Sequence, residues 1–205
     1  MRKLYVLIDN GHGVDTWGKR SPDEVIREYL YTRNLATAIY TELLKYEYIQ
    51  PILIVPELQD ISLKERVNRI NNYCKIHGAG NCILISLHLN AAGNGQWTTA
   101  TGWEAYSTRK DNNSDRLATI AYFYASSIFE GQKIRADWSD GDIDKEADFF
   151  IIKGANCPAI LTESFFMDSK HDYKYLLSDI GFNNIVDVHV KTALKWAEVK
   201  GLKTS

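Results

Sequence analysis

The feature that most limits the fold of this chain is an alternation that runs from one end to the other. Short apolar runs, too brief for helices, are separated by longer segments whose apolar residues recur at helical spacing. "LYVLID" (Leu4 to Asp9), "PILIVP" (Pro51 to Pro56), "CILIS" (Cys82 to Ser86), "GWEAYS" and "PAILTESFF" read as strands. "DFFIIKG", ahead of Pro158, is a further short apolar run. Between them, "VIREYLYTRNLATAIYTELLKY" sets Leu35, Ile39 and Leu43 at helical spacing, and "SLKERVNRINNYCKIHG" starts with Ser62 and Glu65 in capping-box spacing and stops at Gly78. "SDRLATIAYFYASSIF" continues the helical period, and the closing segment aligns Phe182, Ile185, Val186, Val190, Leu194 and Ala197 on one face. This order predicts an α/β fold: a single domain over residues 1–205, with a mostly parallel twisted sheet and helices on both faces.

Composition narrows the function classes. A chain of 205 residues with 45% hydrophobic content fits one core of ordinary globular character. A formal net charge of -2 supplies no general attraction to nucleic acid or to an anionic membrane. No run approaches the ~20 apolar residues that span a bilayer. No nucleic-acid partner and no membrane insertion are therefore expected. Asp9 cuts the first apolar run short of an export-signal core, so the protein is expected to stay in the cytoplasm as synthesised. Cys74, Cys82 and Cys157 are too few and too scattered for a disulfide framework and read as small buried hydrophobes.

In an open parallel sheet, chemistry gathers beyond the carboxyl ends of the strands. Three such ends carry capable side chains: His12 in "IDNGHG", His88 in "SLHLNA" and Glu163 in "AILTES". Two imidazoles and a carboxylate make a hydrolytic zinc site that leaves one position for water. The carboxylate of that set has three candidates, Glu163, Glu24 and Glu28, the last two at the start of the first long helix. Asp9 and Asn10 are expected to orient an imidazole by accepting its other ring proton. Gly11 and Gly13 are expected to let the backbone bend tightly around His12.

"IDNGHG", "EYLYTRNLA", "SLHLNA" and "CPAILTESFFMD" occur in the order and approximate spacing of zinc-dependent N-acetylmuramoyl-L-alanine amidases of the type-three family, which the chain resembles over nearly its whole length. The resemblance implies Zn2+ held by His12, Glu28 and His88, with Glu163 as the catalytic carboxylate. Glu28 is preferred to Glu24 because "EYLYTR" follows it, as a similar stretch follows the family's ligand. Phe165 stands where that family usually has glycine, which leaves Glu163 in place but alters the loop behind it. The implied reaction cuts the amide between N-acetylmuramic acid and the L-alanine of the stem peptide. Peptidoglycan, a muramyl peptide, is the implied substrate.

Other readings compete. The chain could be a wall-binding module without catalysis, or a zinc hydrolase of another amide. A phage or prophage endolysin awaiting release to the wall fits the absence of an export signal, as does a portion of a longer exported enzyme. A monomer is favoured over an oligomer. The segment Arg135 to Asp144 reads as a solvated loop before it reads as part of a substrate cleft. Calcium is not favoured at Asp140, Asp142 and Asp144, because an EF-hand loop would need a glutamate where Ile151 stands. Asn90 is expected to hold the turn after His88 or to touch substrate. His77, His171 and His189 are expected to be structural or exposed.

Overall fold

The structure is a computed structural model that describes residues 2–109, 113–139 and 141–202. Six strands form one sheet: β1 (Leu4–Asn10), β2 (Ile49–Leu53), β3 (Cys82–Asn90), β4 (Trp103–Ser107), β5 (Lys145–Glu146) and β6 (Ala159–Phe166). Their order across the sheet is β2-β1-β3-β6-β4-β5. The β1–β2, β1–β3, β3–β6 and β4–β5 pairs are parallel, and β4 runs antiparallel to β6.

Helices cover both faces. On one side lie α1 (Glu28–Leu43), α3 (Asn113–Ile128) and α6 (Asp179–Val199), packed on Leu4, Val6 and Ile8 of β1 and Ile83, Ile85 and Leu87 of β3. On the other lie α2 (Leu63–His77) and the short α4 (Phe150–Gly154), packed on Leu7, Cys82 and Leu84. The odd and even residues of β1 and β3 thus divide between two cores, as successive strand side chains must. Leu35, Ile39 and Leu43 are buried as their spacing predicts. Ser62 caps α2 by accepting the Glu65 backbone N–H at 3.3 Å, while the Glu65 carboxylate turns to Arg69. Cys74, Cys82 and Cys157 are free and buried in the second core.

Three local expectations change. The second strand starts at Ile49 and ends at Leu53, because Pro51 is tolerated on this edge strand, where no further ladder requires its missing N–H. "DFFIIKG" forms the turn of helix α4, in which adjacent Ile151 and Ile152 are both buried. The fifth helix, α5 (Lys170–Leu176), and the two-residue β5 were not expected from the sequence pattern. Asp140 lies outside the described residues.

Candidate metal centre

The end of β1 sets the first histidine. His12 itself takes the left-handed backbone conformation, with φ 65°, while neither Gly11 nor Gly13 does. The glycines serve close approach instead: a Cβ on Gly11 would lie 2.4 Å from Cε1 of His88, and one on Gly13 would lie 2.0 Å from the Asp60 backbone nitrogen. The expected bend therefore falls on the histidine, and its cost, about 1–2 kcal/mol for a residue with a Cβ, is offset by local bonds. The His12 carbonyl accepts from Arg33 Nη1 at 3.1 Å and from Arg66 Nη2 at 3.4 Å. Gly11 O accepts from the Thr32 hydroxyl at 3.1 Å.

Asp9 and Asn10 act differently from expectation. Asp9 is buried and accepts from Arg66 Nη1 and from the Ser86 hydroxyl, at 2.8 and 2.7 Å. The Asn10 side chain donates to Val55 O and accepts from Arg33 Nη1. Neither reaches an imidazole; both brace the strand end from which His12 departs.

Glu28 is the first residue of α1 and is 1% exposed. Its Oε1 lies 3.0 Å from His88 Nδ1 and 3.4 Å from His12 Nε2, and it accepts the Leu89 backbone N–H at 3.0 Å. The helix N-terminus favours its negative charge. Burial works against that charge, yet the contacts with His12 and His88 hold the carboxyl far below the usual carboxylate range. Burial likewise disfavours a charged His88, but Glu28 outweighs it and raises the imidazole above its ordinary value. Glu24 does not join the group. It is exposed, takes φ 62° and pairs with Arg20 and Arg27.

His12, Glu28 and His88 offer ligand atoms that all lie within 4.8 Å of one another. His12 Nε2 and Glu28 Oε2 are buried without hydrogen-bond partners. Such orphaned polar atoms are costly unless something else binds them, and a mixed nitrogen and oxygen set at this spacing could hold a metal ion.

Glu163 stands beside this group. It occupies the same register position on β6 as His88 on β3, and Glu104 on β4 faces it from the other side. Burial pushes the Glu163 carboxyl up to about 7, with His88 opposing and Glu28 adding to the rise. Its Oε2 is sealed from solvent and has no partner. The β3–β6 ladder then slips: Asn90 pairs with Phe166, so β6 carries an irregularity after Glu163. Phe165 lies within it at φ 70°, a conformation suited to glycine, and packs edge-on against Phe129 and Tyr175.

The sequence reading missed Glu104. It is 2% exposed and accepts from Asn90, Tyr106, Arg135 and Lys145, the last two at 2.7 and 2.6 Å. A carboxylate in the middle of "GWEAYS" was the available signal. These bonds also give Asn90 its role, linking the end of β3 to β4, and fix Arg135 at the site rather than in a loose loop. His77 stacks on Tyr5, His171 contacts Asp172, and His189 is buried between Ile185 O and Thr162.

The chain is similar in sequence and fold to known proteins. A family model described as N-acetylmuramoyl-L-alanine amidase matches residues 6–194. The chain is 28% identical over 168 residues to a sporulation-specific N-acetylmuramoyl-L-alanine amidase of Bacillus subtilis, covering 82% of this chain and 58% of that protein. It is 26% identical to the endolysin of Bacillus phage SPP1, over 99% of this chain and 68% of the relative. The chain thus spans less than two thirds of the sporulation protein's length. The crystal structure of an N-acetylmuramoyl-L-alanine amidase from Clostridium difficile 630 superposes with a TM-score of 0.81 at 26% identity, over 98% of this chain and 100% of that one.

Proposed function

Because the chain belongs to the N-acetylmuramoyl-L-alanine amidase family, we propose that it hydrolyses the amide joining N-acetylmuramic acid to the L-alanine of the peptidoglycan stem peptide. The observation that carries this reading is the convergence of His12, Glu28 and His88 with Glu163 one strand away. In this reading His12, Glu28 and His88 hold Zn2+, and the orphaned His12 Nε2 and Glu28 Oε2 support that fit. The chemistry such a site supplies with zinc bound is Lewis acidity, which acidifies water and polarises an amide carbonyl.

The chain's own residues supply the proton traffic. Glu163, beside the ligand group with its Oε2 buried and unpartnered, can take and return a proton. Glu163 accepts the proton of the attacking water and delivers it to the departing amine of L-alanine. Water enters as the nucleophile, so no covalent enzyme intermediate is required. Glu28 remains ionised throughout, since its carboxyl lies far below the usual range. Arg33 and Arg66 keep the His12 turn in place through its carbonyl.

The likeness to a phage endolysin over almost the whole chain supports a wall-lytic role of that kind. Among the described residues no helix is long and apolar enough to cross a membrane. The deciding experiment is digestion of purified peptidoglycan by the zinc-loaded protein. New N-terminal L-alanine amines are expected. Reducing sugar ends would identify a glycosidase instead, and wall binding with neither product would leave a binding module.

A further inference from the structure

A second carboxylate cluster lies on the opposite face of the sheet edge from Glu163. Asp142, Asp144 and Glu146 follow one another at alternate positions along the strap that enters β5, and they present oxygens within 4.8 Å of one another. Alternate residues of an extended segment share a face. The residue between the last two, Lys145, points the other way and donates to Glu104 beside the candidate metal centre.

The buried member of the cluster is unpartnered. Asp144 is 0% exposed, and neither of its carboxylate oxygens receives a hydrogen bond; Asp142 Oδ1 is in the same position. The neighbouring Ser107 hydroxyl donates to Asp115 Oδ1 at 2.7 Å, and its influence on Asp144 is outweighed by burial. Asp115, in the first turn of α3, brings a further carboxylate to the same place. Glu146 is held opposite Ser107 in the β4–β5 register. A fully buried carboxylate with both oxygens unsatisfied is a costly arrangement unless a cation or a proton answers it.

We infer that Asp142, Asp144 and Glu146 form a second cation site, for calcium, distinct from the histidine centre. The donors are all oxygens, with no imidazole or thiolate, which selects a hard divalent ion over zinc. They come from an irregular strap rather than a rigid octahedral cage, and calcium tolerates irregular coordination completed by water, whereas magnesium demands near-ideal geometry. The EF-hand rule that disfavoured calcium does not apply, because the third carboxylate comes from Glu146 on β5. The role is positional. An ion on one face of β5 pins the strap whose other face sets Lys145 on Glu104, and Glu104 stands in register with Glu163. This inference does not rest on the proposed amidase reaction.

Without an ion, burial pushes the Asp144 carboxyl up to about 8, with Ser107 opposing and the charges of Asp142 and Asp115 adding to the rise, so a retained proton is the rival occupant. The test is calorimetric titration of the zinc-loaded protein with CaCl2 and, separately, MgCl2 at pH 7.5, alongside thermal melts. One calcium should bind with a Kd of about 10⁻⁴–10⁻³ M, the range of weak extracellular modules, magnesium should bind more weakly, and calcium should raise Tm. Asp144→Asn should abolish both effects. Should that variant fold poorly, the partly exposed Asp142→Asn and Glu146→Gln replace it, each weakening calcium by about tenfold or more. Glu28→Gln should leave calcium binding unchanged. No saturable calcium binding, or an Asp144→Asn protein that melts above the wild type in calcium, would overturn the site in favour of the buried proton. Loss of calcium binding in Glu28→Gln would do the same by moving the ion to the histidines.

Discussion

His88 and Glu163 sit at one register position of two adjacent parallel strands, so their side chains leave the same face of the sheet about 4.8 Å apart at the backbone. Such neighbours divide labour: one turns toward Glu28, the other stays uncommitted. Glu163→Gln should therefore keep its metal and lose about 10²–10⁴-fold in kcat. Metal analysis and muropeptide release measured on the same preparation check this, and a variant that loses zinc along with activity would place Glu163 among the ligands.

Glu28 and Glu24 should separate cleanly. Glu28→Ala is expected to weaken zinc by more than the about 10–100-fold that loss of an outer hydrogen-bond partner costs. Glu24→Ala, altering an exposed carboxylate paired with Arg20 and Arg27, should bind zinc as the wild type does. Competition against a zinc-chelating dye reads both affinities. Equal zinc binding by the two variants would remove Glu28 from the set.

Gly11→Ala tests the packing of the centre. The added methyl would meet the His88 ring at 2.4 Å, closer than any relaxed contact, while the backbone at this position is not left-handed. Zinc affinity should fall about tenfold or more, with the melting temperature of the stripped protein little changed. Wild-type zinc affinity would mean that the ring does not lie over the Gly11 Cα.

Stripped of metal, the protein should lose stability as pH rises through the Glu163 titration. Its folded pKa of about 7 exceeds the ordinary 4.5, so between those values the native state binds more protons than the unfolded one and each step up in pH costs stability. The full shift corresponds to no more than about 3.5 kcal/mol. His88, also raised and in part by Glu163, contributes with the same sign, so the difference between wild type and Glu163→Gln reports the carboxyl together with its effect on His88. Urea unfolding at pH 5 and pH 8 should show the variant gaining on the wild type at the higher pH. Parallel losses would show that Glu163 is not raised.

Phe165→Gly poses strain against packing. Glycine would relieve a left-handed backbone at about 1–2 kcal/mol, but the buried ring against Phe129 and Tyr175 is worth about 3–5 kcal/mol. A net loss of about 1–4 kcal/mol is expected in denaturant titration. A stabilised variant would show that the aromatic contacts do not compensate for the backbone.

What the chain disclosed in advance follows from the range of the interactions involved. The strands of β1 and β3 and the helix α1 were legible because burial on one or two faces imposes a period on local sequence. The meeting of His12, Glu28 and His88 was not periodic; it became readable from the rule that strand ends converge and from a family resemblance. That Asp9 serves Arg66 rather than an imidazole depends on a partner in α2, far along the chain, and no local signal announces it. β5 was invisible because two residues make no pattern, and α4 stayed undecided because four adjacent apolar residues fit either period. The left-handed His12 was hidden by its glycine neighbours, which looked like the flexible positions.

Glu28 opens α1, and its carboxylate is tied to the Leu89 N–H. The exposed tip around Trp17 can therefore change length without shifting the helix, because Ser21 and Ile26, nearer to the helix, are buried and bonded to each other. Trp17 is 91% exposed, on the loop between His12 and Glu28. Insertions and deletions there would reshape the surface around Trp17 while leaving the carboxylate where it is. The fold thus separates a part free to diversify from a part that must not move.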